Sequence, residues 1–246
     1  SERTPSFVVS PERQTWHCFG ACSTGGDVFS FLMKVEKIEF PEALQRLAQR
    51  AGVTLAPSQQ EAQAREETEH LYRINEAAGR YYHDLLLNSS AAEKARGYVR
   101  GRGLSAETIG RFQLGYSLDA WRALQDHLLA EGFSREDMLA AGLEVARQDG
   151  GSYDLFRGRL LFPIRNPQGR VTGFGGRALD DSLPKYLNTA QTPVFDKGAV
   201  LYGIDLAAAA IRSADQAVIV EGYFDVIMAH QKGFANVVAS MGTALT

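Results

Sequence analysis

Two carboxylates four residues apart, in the run Ala217-Val-Ile-Val-Glu221-Gly222-Tyr223-Phe224-Asp225, have the spacing of a site for phosphoryl chemistry. The apolar residues 217–220 predict a buried strand, and the segment from Tyr223 predicts a helix, with Gly222 letting the backbone turn between them. In a parallel α/β sheet ligands gather at the carboxyl ends of strands. Glu221 and Asp225 would therefore meet at a sheet crevice. Oxygen ligands of this kind suit Mg2+ or Mn2+, the acidic half of a metal-dependent phosphoryl-transfer site. The competing explanation is a solvated Glu221 and an Asp225 that complements the dipole of its own helix. The stretch alone leaves both open.

Cys18 and Cys22 follow a predicted strand and flank Phe-Gly-Ala, a tight turn able to aim two thiolates at one Zn2+. Such a knuckle is half a zinc site; a pair of small buried thiols explains the same residues. The spacing is Cys-x3-Cys, looser than the usual Cys-x2-Cys, and the chain has no other cysteine. It cannot close a tetrahedral site of the ordinary kind by itself.

The third constellation is cationic. Arg157, Arg159, Arg165, Arg170 and Arg177 occur in one stretch without an acidic residue, interleaved with glycines at 158, 169, 173, 175 and 176. Guanidinium grips phosphate bidentately, and glycine lets a backbone approach a ligand. Arg157 and Arg159 are expected on one strand face, joined by Arg165 if no bulge intervenes. Lys185, Tyr186 and Asn188, then Lys197, add two cations, a phenol and an amide just downstream. A solvated sheet face is the alternative.

The elements that must carry these groups are legible in outline. Two short strands around residues 6–9 and 15–19 precede a helix over 28–36 capped by Asp27, and a second helix runs from Pro41 to about residue 50. Residues 56–68, rich in Gln, Glu and Ala, read as a linker. Helices are predicted over 71–87, 91–99, 120–131 and 134–141, with a turn at 100–103 and a short helix capped by Ser105. Beyond Gly142, short β-type runs over 159–164 and 170–174 suggest a twisted antiparallel sheet, with residues 173–176 read as a break. A helix over 204–211, the strand before Glu221, the helix after it and a strand over 235–240 form a βαβ unit. The fold class is α/β in the mixed α+β sense.

The 246 residues can bury a core in one large or two modest domains. The net charge of −3 argues weakly against nucleic-acid binding, but local charge decides where a phosphate backbone can lie. Two cysteines make no disulfide framework, no apolar run is long enough for a bilayer, and Ser1-Glu-Arg-Thr-Pro5 does not read as a signal peptide. The expectation is a cytoplasmic protein with no membrane partner.

In order and spacing, these phrases resemble the bacterial replicative DNA primases over nearly the whole chain. Thr4-Pro-Ser-Phe7, Trp16-His-Cys-Phe-Gly20 and Gly26-Asp-Val-Phe-Ser-Phe-Leu32 are similar to the second half of the family's zinc ribbon. Arg102-Gly-Leu-Ser105, Phe156-Arg-Gly-Arg-Leu160, Phe162-Pro-Ile-Arg165, Gly173-Phe-Gly-Gly-Arg177, Pro184-Lys-Tyr-Leu-Asn188 and Val200-Leu-Tyr-Gly203 resemble its RNA-polymerase core. Val220-Glu-Gly-Tyr-Phe-Asp225 and Ala239-Ser-Met-Gly-Thr-Ala-Leu-Thr246 resemble the start of its TOPRIM fold.

The resemblance implies zinc-ribbon residues 1–55, a linker 56–70, a polymerase-core subdomain 71–200 and the start of TOPRIM over 201–246. It gives Glu221 a role in proton transfer or metal binding, with Asp225 in support. It gives Arg102, Arg177, Lys185, Asn188 and Lys197 to the groove for nucleotide and template, and Cys18 and Cys22 to two of four zinc positions. Arg157, Arg159, Arg165 and Tyr186 are the further candidates for that groove. Implied cofactors are Zn2+ and Mg2+ or Mn2+. Implied partners are single-stranded DNA, ribonucleoside triphosphates and, for the whole enzyme, a replicative helicase. The family's Cys-x-x-His pair and Asp-x-Asp metal ligands are expected before Ser1 and after Thr246, so the chain is expected to be an inactive part of a longer enzyme. The alternatives are a non-catalytic protein that binds single-stranded nucleic acid, or another TOPRIM enzyme.

Overall fold

A computed structural model describes residues 6–20, 22–54, 59–148 and 150–241. It divides into two compact units, residues 1–62 and 63–246. In the first, β1 (Phe7–Ser10), β2 (Thr15–Cys18) and β3 (Thr24–Gly26) form an antiparallel sheet, followed by α1 (Val28–Glu36) and α2 (Phe40–Ala51). Asp27 caps α1 by accepting from the Ser30 amide at 2.8 Å. Its carbonyl accepts from Trp16 Nε1 at 2.9 Å, which ties the helix start to β2. The strand β3 was not anticipated, because Thr-Gly-Gly carries no strand pattern.

The second unit is built mainly on α3 (Gln59–Asn88), a 3₁₀ turn (Ser90–Ala92), α4 (Glu93–Gly101) and α5 (Ala106–Phe112), then β4 (Gly115–Tyr116), α6 (Ala123–Ala130), α7 (Arg135–Ala140) and the hairpin β5 (Glu144–Ala146) and β6 (Ser152–Asp154). The sheet at its centre adds β7 (Arg159–Arg165), β8 (Val171–Ala178) and β9 (Tyr186–Asn188) in the order β4-β7-β8-β9, all antiparallel. The chain continues through β10 (Leu201–Tyr202), α8 (Ile204–Ala214), β11 (Val218–Val220), α9 (Tyr223–Gln231) and β12 (Val237–Ser240). These last strands make a second sheet, order β10-β12-β11, in which β11 and β12 are parallel.

Both faces of β7 are buried, which is why Leu-Leu-Phe-Pro-Ile reads as an unbroken apolar run. Leu160, Phe162 and Ile164 join one core with Tyr202, Tyr223, Phe224 and Val226. Leu161 joins the other with Tyr82, Phe156, Phe174 and Leu128.

Four expectations are corrected. Residues 59–68, read as linker, are the first turns of α3; Gln, Glu and Ala are strong helix formers even with nothing to bury. The remainder of that linker at 56–58 lies outside the described residues. The glycines at 173–176 do not break a strand but lie inside β8, where neighbouring side chains occupy the space their Cβ atoms would need. An added Cβ at Gly176 would lie 2.6 Å from Phe156. The strand before Glu221 is not buried. Among the described strands β11 is at the edge of its sheet, with Val218 39% and Ile219 45% exposed. The turn expected at 100–103 is shortened, since α4 runs to Gly101.

One buried carboxylate has a clear structural duty. Asp154, at the end of β6, accepts from the backbone amides of Leu124 at 2.8 Å and Gln125 at 3.1 Å, capping α6 from 30 residues away. Burial pushes its pKa up to about 6, against those two hydrogen bonds that lower it, with the nearby Glu144 adding to the rise. A folded pKa above the unfolded 3.8 stabilises the protein fully below that value, and the contribution is lost as pH rises through about 6. Asp154→Asn should therefore flatten the fall in stability between pH 4 and pH 7 by up to about 3 kcal/mol. Urea unfolding midpoints at the two pH values test this; parallel slopes for both proteins would show that Asp154 does not titrate in that window.

Candidate active site

The parallel pair β11 and β12 does what its topology predicts. Glu221 follows the last residue of β11, Asp225 sits in the first turn of α9, and Ser240 ends β12, so all three lie at the carboxyl ends of the strands. They line one cleft of about 300 Å³ together with Tyr186 and Asn188 of β9, Lys197 of the following loop, Tyr223 and Met241. Glu221 and Asp225 are both exposed. Gly222 makes room between them, because a Cβ there would lie 2.9 Å from Asp225 Oδ2.

These oxygens fit a hard divalent cation. Among the described residues no three His, Cys, Asp or Glu side chains converge as a metal site. Two carboxylates are nevertheless the protein share that Mg2+ commonly takes, the remaining positions being filled by water and phosphate. In the first unit, Cys18 ends β2 and Cys22 lies in the turn after it. The Cys22 thiol is held up chiefly by its hydrogen bond with the Cys18 side chain, and also by desolvation, so the two sulfurs adjoin. They fit two of the four ligands of a tetrahedral Zn2+ site. Ala21 between them lies outside the described residues.

The cations separate into groups. Arg177, on β8, holds its guanidinium carbon 4.9 Å from the Tyr98 ring centroid and 5.2 Å from that of Tyr186, and it donates to the Tyr186 hydroxyl. Its Nε is buried and has no partner among the described residues. Arg102 lies 5.0 Å from the Phe224 centroid and 5.4 Å from that of Tyr98, whose hydroxyl accepts from Arg102 Nε at 3.1 Å. One aromatic pair, Tyr98 against Phe224 at 5.8 Å, therefore seats both guanidiniums. Lys185 and Lys94 join Arg177 and Tyr98 around a neighbouring cavity of about 580 Å³, which Asp180 and Asp181 also line.

Arg157 and Arg159 are elsewhere. Arg157 precedes β7, stacks 4.2 Å over Trp121 and donates to the Asp154 carbonyl at 3.1 Å. Gly158, at φ +60°, turns the chain before Arg159 enters the strand. Arg159 is only 7% exposed and donates to the Pro184 carbonyl at 2.9 Å. Both line a third cavity of about 420 Å³ with Asp119, Asp180 and Pro184. A register shift falls between Ile164 and Arg165 at the far end of β7, so the bulge-free strand on which a face shared with Arg157 and Arg159 depended is not found. It donates to the Gly169 carbonyl at 2.6 Å and to Gln113, and lies 3.6 Å from Glu76. Arg170 pairs with Glu69 at 2.8 Å and stacks on Tyr72.

Tyr98, Phe224 and Tyr223 were not singled out from sequence. The i,i+4 spacing of Tyr98 and Arg102 along α4 was the available signal for the first. Nothing local marks the other two.

The DNA primase catalytic core, N-terminal domain, matches residues 81–208. The chain belongs to the DNA primase family. The CHC2 zinc finger matches residues 1–63 and the Toprim domain residues 215–246. The DNA primase of Deinococcus radiodurans is 47% identical over the full chain, which spans 41% of that relative's length. The RNA polymerase domain of Mycobacterium tuberculosis primase DnaG superposes with a TM-score of 0.69 at 40% identity, over 72% of this chain and 58% of that one. A structure of the DnaG primase catalytic domain bound to ssDNA gives 0.67 at 38% identity, over 74% and 58%. The zinc-binding and RNA polymerase domains of Aquifex aeolicus primase give 0.66 at 37%, over all of this chain and 59% of that one. Among the described residues no helix is long and apolar enough to cross a membrane.

If Arg177 acts through its seat, charge alone will not replace it. Arg177→Lys loses the planar stacking, worth about 1 kcal/mol, and should weaken binding of a labelled single-stranded oligonucleotide roughly fivefold. Arg212→Lys, at the exposed end of α8, should change it less than twofold. Fluorescence anisotropy at fixed salt reads both; equal effects would remove Arg177 from the binding surface.

Proposed function

We propose that this chain is the template- and nucleotide-holding part of a primase, which synthesises RNA primers on single-stranded DNA. One observation supports the reading above the others: Glu221, Asp225, Tyr186, Asn188 and Lys197 line a single cleft. Tyr186 also borders the Arg177 guanidinium, which supports a cationic group near the acids. The reaction is attack of a primer 3′-hydroxyl on the α-phosphorus of a ribonucleoside triphosphate, forming the phosphodiester while pyrophosphate leaves with the electron pair of the broken P–O bond.

Each group has a task in it. Arg102 and Arg177 bind the triphosphate or the template phosphates, their rings holding them flat and ready for bidentate contact. Lys185 and Lys197 add positive charge on either side. Glu221, supported by Asp225, would either help hold Mg2+ or Mn2+ or accept the proton of the attacking hydroxyl. The bound ion would stabilise charge on the transferring phosphoryl group and on the leaving oxygen. Cys18 and Cys22 supply two ligands to a zinc ion in the first unit. Arg157 beside exposed Trp121 offers a cation and a stacking face to single-stranded DNA, while the buried Arg159 keeps that corner folded. Arg165, engaged by Gln113 and Glu76, contributes only to the local potential. The division near residues 56–70 into a zinc-ribbon part and a polymerase part fits the two compact units. A replicative helicase is the partner the family resemblance adds, and no described residue is assigned to it.

Because the acids alone do not complete a metal site, purified residues 1–246 should make no template-dependent RNA. The complete reading frame that encodes this chain should make primers. There, Glu221→Gln should lower the rate by at least about 100-fold while leaving DNA affinity within about twofold. Primer synthesis by the isolated chain, or equal loss of rate and DNA binding in Glu221→Gln, would contradict the proposal. An intact reading frame that binds DNA and never makes RNA would identify a binding protein instead.

A further inference from the structure

Tyr223, at the first position of α9, lines the acidic cleft yet is only 7% exposed. Its ring stacks on Phe162 of β7 with centroids 4.6 Å apart and planes 6° from parallel. It meets Tyr202 of β10 edge-on at 4.8 Å. Gly175 of β8 is shaped to it, since a Cβ at that position would lie 2.1 Å from the Tyr223 hydroxyl oxygen. That glycine thus opens the path along which the hydroxyl reaches β9. There it donates to Asn188 Oδ1 at 2.8 Å.

We infer that Tyr223 is a positioning residue that sets which end of the Asn188 amide faces the cleft. A carboxamide carries one acceptor oxygen and an NH2 with two donors. With Tyr223 holding one lone pair of Oδ1, the amide is fixed with its N–H donors free for a ligand, and Nδ2 makes no hydrogen bond among the described residues. A phenolic hydroxyl carries a single proton, and here that proton is given to Oδ1. The aromatic packing on two sides stops the ring from following a change at Asn188.

The consequence is a division of labour within the cleft. Asn188 acts on a nucleotide, donating to a phosphate or ribose oxygen, and is not an oxygen ligand for the divalent ion. That duty is left to Glu221 and Asp225. This deepens the reading of the cleft as a nucleotide site and rests on it.

The test uses residues 1–246 with Tyr223→Phe, Asn188→Ala and the double variant. Three quantities are measured: ATP affinity, Mn2+ affinity without nucleotide, and the Asn188 side-chain NH2 resonances. Tyr223→Phe removes a single oxygen from a packed ring and preserves the stacking. It should shift the Asn188 NH2 pair, speed its exchange with solvent and weaken ATP binding about fivefold. Asn188→Ala should weaken ATP comparably, and the double variant should be no weaker than Asn188→Ala alone. Mn2+ affinity should be the same in all four proteins. The inference is overturned if Tyr223→Phe leaves the Asn188 resonances unmoved, if its effect persists in full in the Asn188→Ala background, or if Asn188→Ala lowers Mn2+ affinity. If the parent chain binds no ATP, the nucleotide reading of the cleft fails, while the resonances still decide whether Tyr223 sets the amide.

Discussion

The aromatic seam between the antiparallel sheet and the βαβ unit is the interaction on which the candidate site depends. Phe162 stands at its centre, stacked on Tyr223 and edge-on to Phe224 at 5.3 Å. Tyr223 and Phe224 lie between Glu221 and Asp225 in sequence. The packing that closes the core therefore also fixes where the carboxylates emerge. Aromatic pairs of this kind add about 0.5–1.5 kcal/mol each beyond the area they bury, and their preferred geometries restrict rotation as well as separation. A seam of side chains, with no hydrogen-bonded strand joining the two sheets among the described residues, orients the acids against the basic residues of β8 and β9.

Electrostatics explains why aromatic rings recur on the cationic side. Two guanidiniums brought near one another repel, and each would otherwise be free to swing into solvent. Tyr98 and Phe224 give both of them a negative ring face and a flat seat. Arg102 and Arg177 are thus ordered without a carboxylate partner among the described residues, which leaves their charge available for an anion. Arg170, by contrast, is neutralised by Glu69, and Arg165 is engaged by Gln113 near Glu76. Sharing a basic stretch of sequence does not give these arginines a common surface.

Local pattern was enough for the elements that obey it. The helix capped by Asp27, the helix capped by Ser105 and the βαβ unit around Glu221 all follow from caps and periodicity, and the meeting of Glu221 and Asp225 follows from the strand-end rule. Residues 59–68 are helical by propensity alone, but two other misreadings share one cause, tertiary packing that local sequence does not encode. Residues 173–176 contain three glycines and read as a break, yet Tyr223, Phe156 and Phe195 press on them and make small residues necessary inside a strand. The run 217–220 reads as buried because it is apolar, yet it lies at a sheet edge. The seats of Arg102 and Arg177 depend on Phe224, more than forty positions from either, a pairing no local spacing reveals.

The most direct measurement is anomalous diffraction from crystals of this chain soaked with Mn2+ and ATP. A manganese peak within coordination distance of Glu221 and Asp225, with the triphosphate turned toward Arg177, is the predicted result. Manganese bound away from these two carboxylates, or a triphosphate seated away from the Tyr98 and Phe224 rings, would contradict the coupling of acids and cations across one aromatic seam.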